Sequence, residues 1–257
     1  DLMNREYFSA YPRSALTDVA EATTGVRRNF DALGRQWSES ASSELGALTT
    51  QIAYLTGFRK RITNPRGKAT TLSFLAWDQP VEELPVIVEA PAGQTTTITR
   101  DIHGKPTRIH RTTLIEGVST TVERRFVYDS AQRLCKRIEP ETGAHLFGYD
   151  AADNLEWSVH GSASTGNQCD AMPTVRIQRS HDARNRLSEI NYPDATADIG
   201  YTYYPDGTLW TASRYGSIWT YDYNSLGLIK SESLAYAGNT RAFEYAYDTL
   251  GQLSSIQ

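Results

Sequence analysis

The chain has 257 residues, 39% hydrophobic and 22% charged, with a formal net charge of −4, a pI near 5.8 and a mean hydropathy of −0.49. The acidic balance argues against a nucleic-acid surface, which needs a basic stripe, and the lack of any apolar run of about 18 residues excludes a transmembrane helix. The length would serve one or two compact globular cores, so a different architecture would have to come from the sequence pattern.

Residues 1–25 are a lead-in with a faint pattern, and a short helix is expected over 15–22. From residue 26 onward one motif recurs: an aromatic residue, an Asp, two spacers, a Gly, and a basic or apolar residue. Its first full copy is Phe30-Asp31-Ala32-Leu33-Gly34-Arg35. Residues 72–99 contain Trp77-Asp78-Gln79-Pro80 and two further prolines, which predict a strand pair with an irregular edge. The motif returns as Arg100-Asp101-Ile102-His103-Gly104-Lys105, Tyr128-Asp129-Ser130-Ala131-Gln132-Arg133-Leu134 and Tyr149-Asp150-Ala151-Ala152-Asp153-Asn154-Leu155. Residues 161–173 are polar, contain Gly and Ser, and are expected to form a loop insertion. The last copies are His181-Asp182-Ala183-Arg184-Asn185-Arg186-Leu187, the looser Tyr204-Pro205-Asp206-Gly207-Thr208-Leu209, Tyr223-Asn224-Ser225-Leu226-Gly227-Leu228 and Tyr247-Asp248-Thr249-Leu250-Gly251-Gln252-Leu253.

Each copy has a physical reading as a hairpin turn. The aromatic residue closes a strand, the Asp side chain bonds to a backbone amide two residues on, and the Gly supplies positive φ. Asp153 and Asn185, which replace the Gly, are the other residue types that tolerate left-handed geometry. Gln132 does not fit, and a different turn is expected there. Between turns the residues alternate as strands do. Ile199, Tyr201 and Tyr203 point one way, as do Trp219, Tyr221 and Tyr223, and Phe243, Tyr245 and Tyr247. The Gly-equivalent positions 132, 153, 185, 207, 227 and 251 are 21, 32, 22, 20 and 24 residues apart, the length of two strands and two turns. One such unit cannot fold alone. Ordering about 20 residues costs on the order of 20 to 40 kcal/mol, while each buried aromatic returns about 2 to 3. Neighbouring hairpins must therefore stack into one sheet, as in other repeat proteins.

The pattern resembles the YD repeat of the bacterial RHS family, to which shell proteins of insecticidal toxin complexes and the animal teneurins are related. The turns above carry the resemblance, together with Thr63-Asn64-Pro65-Arg66-Gly67-Lys68, Arg137-Ile138-Glu139-Pro140-Glu141-Thr142-Gly143 and Asn191-Tyr192-Pro193-Asp194. It implies an all-β fold: a repeat array of antiparallel hairpins forming a continuous, curved or spiralling strip across residues 1–257, as a fragment of a longer protein. The family further implies a hollow shell around a C-terminal toxin of the same polypeptide, on a secreted or cell-surface bacterial protein. Structural roles then fall to Phe30, Asp31, Gly34, Asp101, Gly104, Tyr128, Asp129, Tyr149, Asp150, Asp182, Asn185, Tyr223, Gly227, Tyr247, Asp248 and Gly251. The family's self-cleaving aspartyl motif is not recognisable here, so no catalytic residue is carried over.

The remaining residues suggest little chemistry. No nucleophile elbow, phosphate-cradling loop or dinucleotide fingerprint occurs, and the expectation is a non-enzyme without cofactor. No Cys-x-x-Cys or His-x-x-x-His spacing exists, so no metal site is expected. His103, His110, His145, His160 and His181 are scattered one per strand or turn. Arg27-Arg28, Arg59-Lys60-Arg61 and Arg124-Arg125 sit among strand residues, where cross-strand pairing with carboxylates accounts for them. Cys135 and Cys169 either are unrelated thiols or, in an exported protein, form a disulfide worth roughly 4 kcal/mol that pins the insertion. A rival reading makes the chain a secreted carbohydrate-binding array, with Trp210, Tyr215 and Trp219 stacking on sugar rings.

Overall fold

The computed structural model describes residues 3, 5–12, 23–76 and 80–257. The helix expected over 15–22, and Trp77, Asp78 and Gln79, lie outside the described residues. The described chain is all-β and divides into two compact units, Asp1–Arg125 and Phe126–Gln257.

The first unit holds β1 (Phe8–Ala10), β2 (Gly25–Phe30), β3 (Gln36–Ser43), β4 (Gly46–Leu55), β5 (Arg59–Thr63), β6 (Ala69–Ala76), β7 (Pro80–Ala90), β8 (Gln94–Arg100), β9 (Pro106–Ile115) and most of β10 (Val118–Tyr128). Each strand pairs antiparallel with the next along the chain. The pairing of β6 with β7 shifts register on both sides of Phe74, the irregular edge that the prolines predict.

The second unit holds β11 (Leu134–Glu139), β12 (Gly143–Tyr149), β13 (Leu155–Ser162), β14 (Ile177–His181), β15 (Leu187–Asn191), β16 (Ile199–Tyr203), β17 (Leu209–Arg214), β18 (Ser217–Tyr223), β19 (Ile229–Tyr236), β20 (Asn239–Tyr247) and β21 (Leu253–Ile256). Again each pairs antiparallel with its successor. Because β13 runs on through Ser162, the irregular insertion occupies 163–176. Register places the aromatic ladders on one face. Tyr201 and Trp219 both stand opposite Ala212, while Tyr221 and Phe243 both stand opposite Glu232.

Little of this chain is buried. Among the described residues the buried apolar side chains are Phe74, Cys135, Ala144, Leu146 and Trp157, and the cluster of Ala144, Leu146 and Trp157 is joined by Ile138 and Val159. Gly148 stands opposite Trp157 across β12 and β13, and the indole occupies the space that a Cβ on Gly148 would need. With so small a core, the strip depends on its cross-strand pairs and turns.

All the repeat turns share one hydrogen-bond scheme. In the first, Asp31 N–H donates to the Arg35 carbonyl (2.8 Å) and Gly34 N–H donates to the Asp31 carbonyl (2.9 Å). The Asp31 carboxylate accepts from the Leu33 and Arg35 amides at 3.0 and 2.9 Å. The same backbone pair of bonds recurs in turns starting at Asn64, Asp101, Asp129, Asp150, Asp182, Tyr204, Asn224 and Asp248. The residue in the Gly position always has positive φ, including Gln132 at 64°. The different turn expected at Gln132 is therefore not found. The hydrogen bonds that close the turn outweigh the roughly 1–2 kcal/mol of left-handed strain. At Tyr204 the acid is displaced by two, and Asp206 instead accepts from the Thr208 amide and hydroxyl.

Candidate functional site

The turns present the most regular chemistry in the chain. In three of them the residue four after the first Asp is Arg, and its guanidinium returns to that Asp: Arg35 to Asp31 at 2.7 Å, Arg133 to Asp129 at 2.8 Å and Arg186 to Asp182 at 2.7 Å. Each guanidinium also lies over a Tyr ring from two strands further on, Tyr54, Tyr149 and Tyr203, at 4.1, 4.8 and 4.4 Å from the centroid. Those tyrosines donate their hydroxyls to the carbonyls of Gln36, Leu134 and Leu187, at 3.0, 2.9 and 2.7 Å. Tyr247 makes the same bond to Ile229 at 2.8 Å. In every case the accepting residue follows the first turn residue by five, so each Tyr fastens its own hairpin to the start of the strand after the preceding turn.

The turn carboxylates are tuned by these contacts. Arg186, through its guanidinium and then its backbone amide, holds the Asp182 carboxyl down at about 2. Arg35 lowers Asp31 in the same way, and the Asn154 side chain lowers Asp150. Burial, followed by the Asp129 charge, pushes the Tyr149 phenol up, which keeps it a hydrogen-bond donor.

Along one edge of the second unit successive turns also touch one another. Arg133 reaches the Asp153 carboxylate at 2.6 Å and the Asp150 carbonyl at 3.2 Å. Asn154 donates to Asn185 at 3.1 Å, and Arg186 donates to the Tyr204 carbonyl at 3.2 Å. This edge links the turns at 129, 150, 182 and 204, bringing together Asp129, Asp150, Asp182 and Asn185 of the expected structural residues. Phe30 instead lies under the Arg5 guanidinium, at 4.6 Å, and Tyr223 meets Tyr204 edge-on at 6.3 Å. The repeat pattern shows the Asp, the Tyr and the basic residue at the fourth place, and it includes the turn at Asn64, but it does not show that each Arg returns to its own Asp and lies over a Tyr from two strands further on. The Arg four after Asp31, Asp129 and Asp182 was the available signal.

A second feature is the insertion. Cys135 and Cys169 are joined, with Cα atoms 5.5 Å apart. The neighbouring pair does the same electrostatically: Lys136, 1% exposed, meets Asp170 at 2.7 Å, and its ammonium also donates to Ser164 Oγ at 2.9 Å and to the Gly166 carbonyl at 3.1 Å. All three protons of a buried ammonium are thus used. The sequence offers Lys and Asp immediately after the two cysteines, a signal legible only once the cysteines are paired.

The aromatic candidates are partly dispersed. Trp219 stands opposite Ala212, while Trp210 falls in the register shift of β17 against β16 and packs against Tyr204 at 5.8 Å. Tyr215 sits in the β17–β18 turn and donates its hydroxyl to the Ala195 carbonyl at 3.2 Å. The basic clusters are partly paired: Arg28 meets Glu6 at 2.9 Å and Glu39 at 3.0 Å, and Arg125 meets Glu123 at 3.4 Å. Among the described residues no helix is long and apolar enough to cross a membrane, and no group of three or more His, Cys, Asp or Glu is placed to hold a metal ion.

No family model matches the chain, and no curated protein matches it in sequence. Solved structures do. TcdB2-TccC3 without its hypervariable C-terminal region matches over 91% of this chain and 13% of its own length, with a TM-score of 0.67 and 14% identity. TcdB2-TccC3 matches with a TM-score of 0.66, 15% identity and the same coverage. A Tc holotoxin pore from Photorhabdus luminescens matches over 91% of this chain and 12% of its own, with a TM-score of 0.66 and 14% identity. The chain therefore spans about an eighth of the proteins whose fold it shares.

Proposed function

We propose that this chain is a non-catalytic length of an RHS-type YD-repeat shell, and that the shell encloses a toxin or effector lying C-terminal in the same polypeptide. The observation that carries this reading is the fold shared with TcdB2-TccC3 along most of the chain. The turn-to-turn fastening supports it. A strip held by nearest-neighbour contacts, with few buried side chains, is suited to walling off space and poorly suited to positioning a substrate in a rigid core. The Cys135–Cys169 bridge fits the oxidising surroundings of a secreted or cell-surface bacterial protein.

The test is protease protection in the full-length polypeptide to which the segment belongs. Under limited trypsin, a region C-terminal to the repeats should survive far longer than the same region expressed alone. Equal digestion rates would end the shell reading. A second reading, a secreted carbohydrate-binding array, draws on the exposure of Trp210 and Tyr215, 46% and 69%. It requires binding of a cell-wall glycan that Trp210→Ala removes without unfolding the chain.

A further inference from the structure

His145 on β12 and His160 on β13 meet with their Nδ1 atoms 2.6 Å apart, their ring centroids 4.9 Å apart and the planes inclined by 66°. At that distance the two nitrogens share one proton, so one must donate and the other accept. The surroundings decide which. The Thr142 hydroxyl donates to the Glu139 carboxylate at 3.2 Å, which leaves Thr142 Oγ as acceptor for the His145 Nε2–H at 2.9 Å. Glu139 itself lies 3.6 Å from that nitrogen. His145 is thereby held in the tautomer whose Nδ1 lone pair faces His160, and the proton between the rings belongs to His160.

We propose that the His145–His160 pair is a two-imidazole chelate for a divalent transition metal of the zinc, nickel or copper class, the metal taking the place of that single proton. Imidazole nitrogens suit these metals, and a ligating His commonly has its other N–H fixed by a carboxylate or a polar neighbour, as Glu139 and Thr142 do here. With metal–nitrogen bonds of about 2.0–2.1 Å, two tetrahedral ligands stand roughly 3.3 Å apart, so the rings need to separate by less than about 1 Å. On binding, the proton between the rings leaves His160 Nδ1, and the ring is protonated at Nε2 instead. Water completes the coordination.

Charge sets the affinity. Arg137, opposite His145 on β11, and Arg179 on β14 face the pair. Burial first, then His145, Arg179 and Arg137, hold the His160 imidazolium below its usual range. They favour the neutral ring that a metal requires, but their positive charge also weakens cation binding, which the Glu139 carboxylate offsets in part. Fifteen residues separate the two histidines, on either side of the turn at Asp150, so no short metal-binding spacing announces them.

The test is calorimetric titration of the oxidised 257-residue chain with Zn2+ at pH 7.5, alongside His160→Ala and His145→Gln, with circular dichroism to establish that each variant folds. Each substitution should weaken Zn2+ binding at least tenfold, because one imidazole alone lacks the chelate advantage. In the unmodified chain, ring-nitrogen NMR should show both Nδ1 resonances moving on titration. Affinity within threefold of the unmodified chain in either folded variant would overturn the proposal, as would shifts confined to Nε2 or to His103, His110 or His181.

Discussion

At the scale of single residues, the Asp that opens each turn does more than cap it. Its carboxylate takes two backbone amides and, in three turns, an Arg side chain as well. Asn occupies the same place in the turns at 64 and 224 and accepts the same two amides, which separates the geometric role from the electrostatic one. Asp182→Asn should therefore keep the turn and lose only the bond to Arg186. Since the Asp182 carboxyl sits near 2 in the folded chain against an ordinary 3.8, its contribution is present above about pH 4 and lost as pH falls toward 2. Urea midpoints of the two proteins should differ at pH 6 and converge near pH 2. A constant gap across that range would assign the effect to the backbone bonds instead.

At the scale of elements, the hairpin is defined by its turn and fastened by its Tyr. The one-residue register shifts at Phe30, Tyr149, Tyr203, Tyr223 and Tyr247 all fall where an aromatic residue meets its turn, so the positive-φ residue and the bulge are one device. The bond from Tyr149 to the Leu134 carbonyl, and its equivalent from Tyr203 to Leu187, cross from one repeat to the next. Replacing either by Phe keeps the ring under its Arg and removes only this bond. Tyr149→Phe and Tyr203→Phe should each cost about 0.5–1.5 kcal/mol in denaturant unfolding, and the double variant should be close to additive because the two sites belong to separate repeats.

At the scale of the whole molecule, two compact units with little buried area leave stability distributed along the chain, and a covalent link becomes correspondingly valuable. Cys169→Ser should destabilise the Phe126–Gln257 unit by roughly 4 kcal/mol and open residues 163–176 to protease, because the insertion then loses its covalent tie to β11 and keeps only non-covalent ones such as those of Lys136. Limited proteolysis with mass spectrometry, with and without reductant, locates the first cleavage, and a first cut outside the insertion would contradict this. Much of the fold was legible beforehand, since turn residues and two-residue alternation are local properties: Gly227 and Asn185 dictate left-handed geometry, and Tyr201 and Trp219 declare their face. Gln132 was misread because its side chain carries no turn preference, while the bonds around it impose the turn. The link of Lys136 to Asp170, the stacking of Arg133 on Tyr149 and the meeting of His145 with His160 were not legible, because each joins residues 15 or more apart whose proximity depends on strand register and on the path of the insertion. The sequence by itself determined the repeating turn and the all-β strip. The tertiary structure alone decided which charged and aromatic side chains meet, because contacts between separate turns and across the insertion depend on how successive hairpins lie beside one another, which the residues of a single turn do not encode.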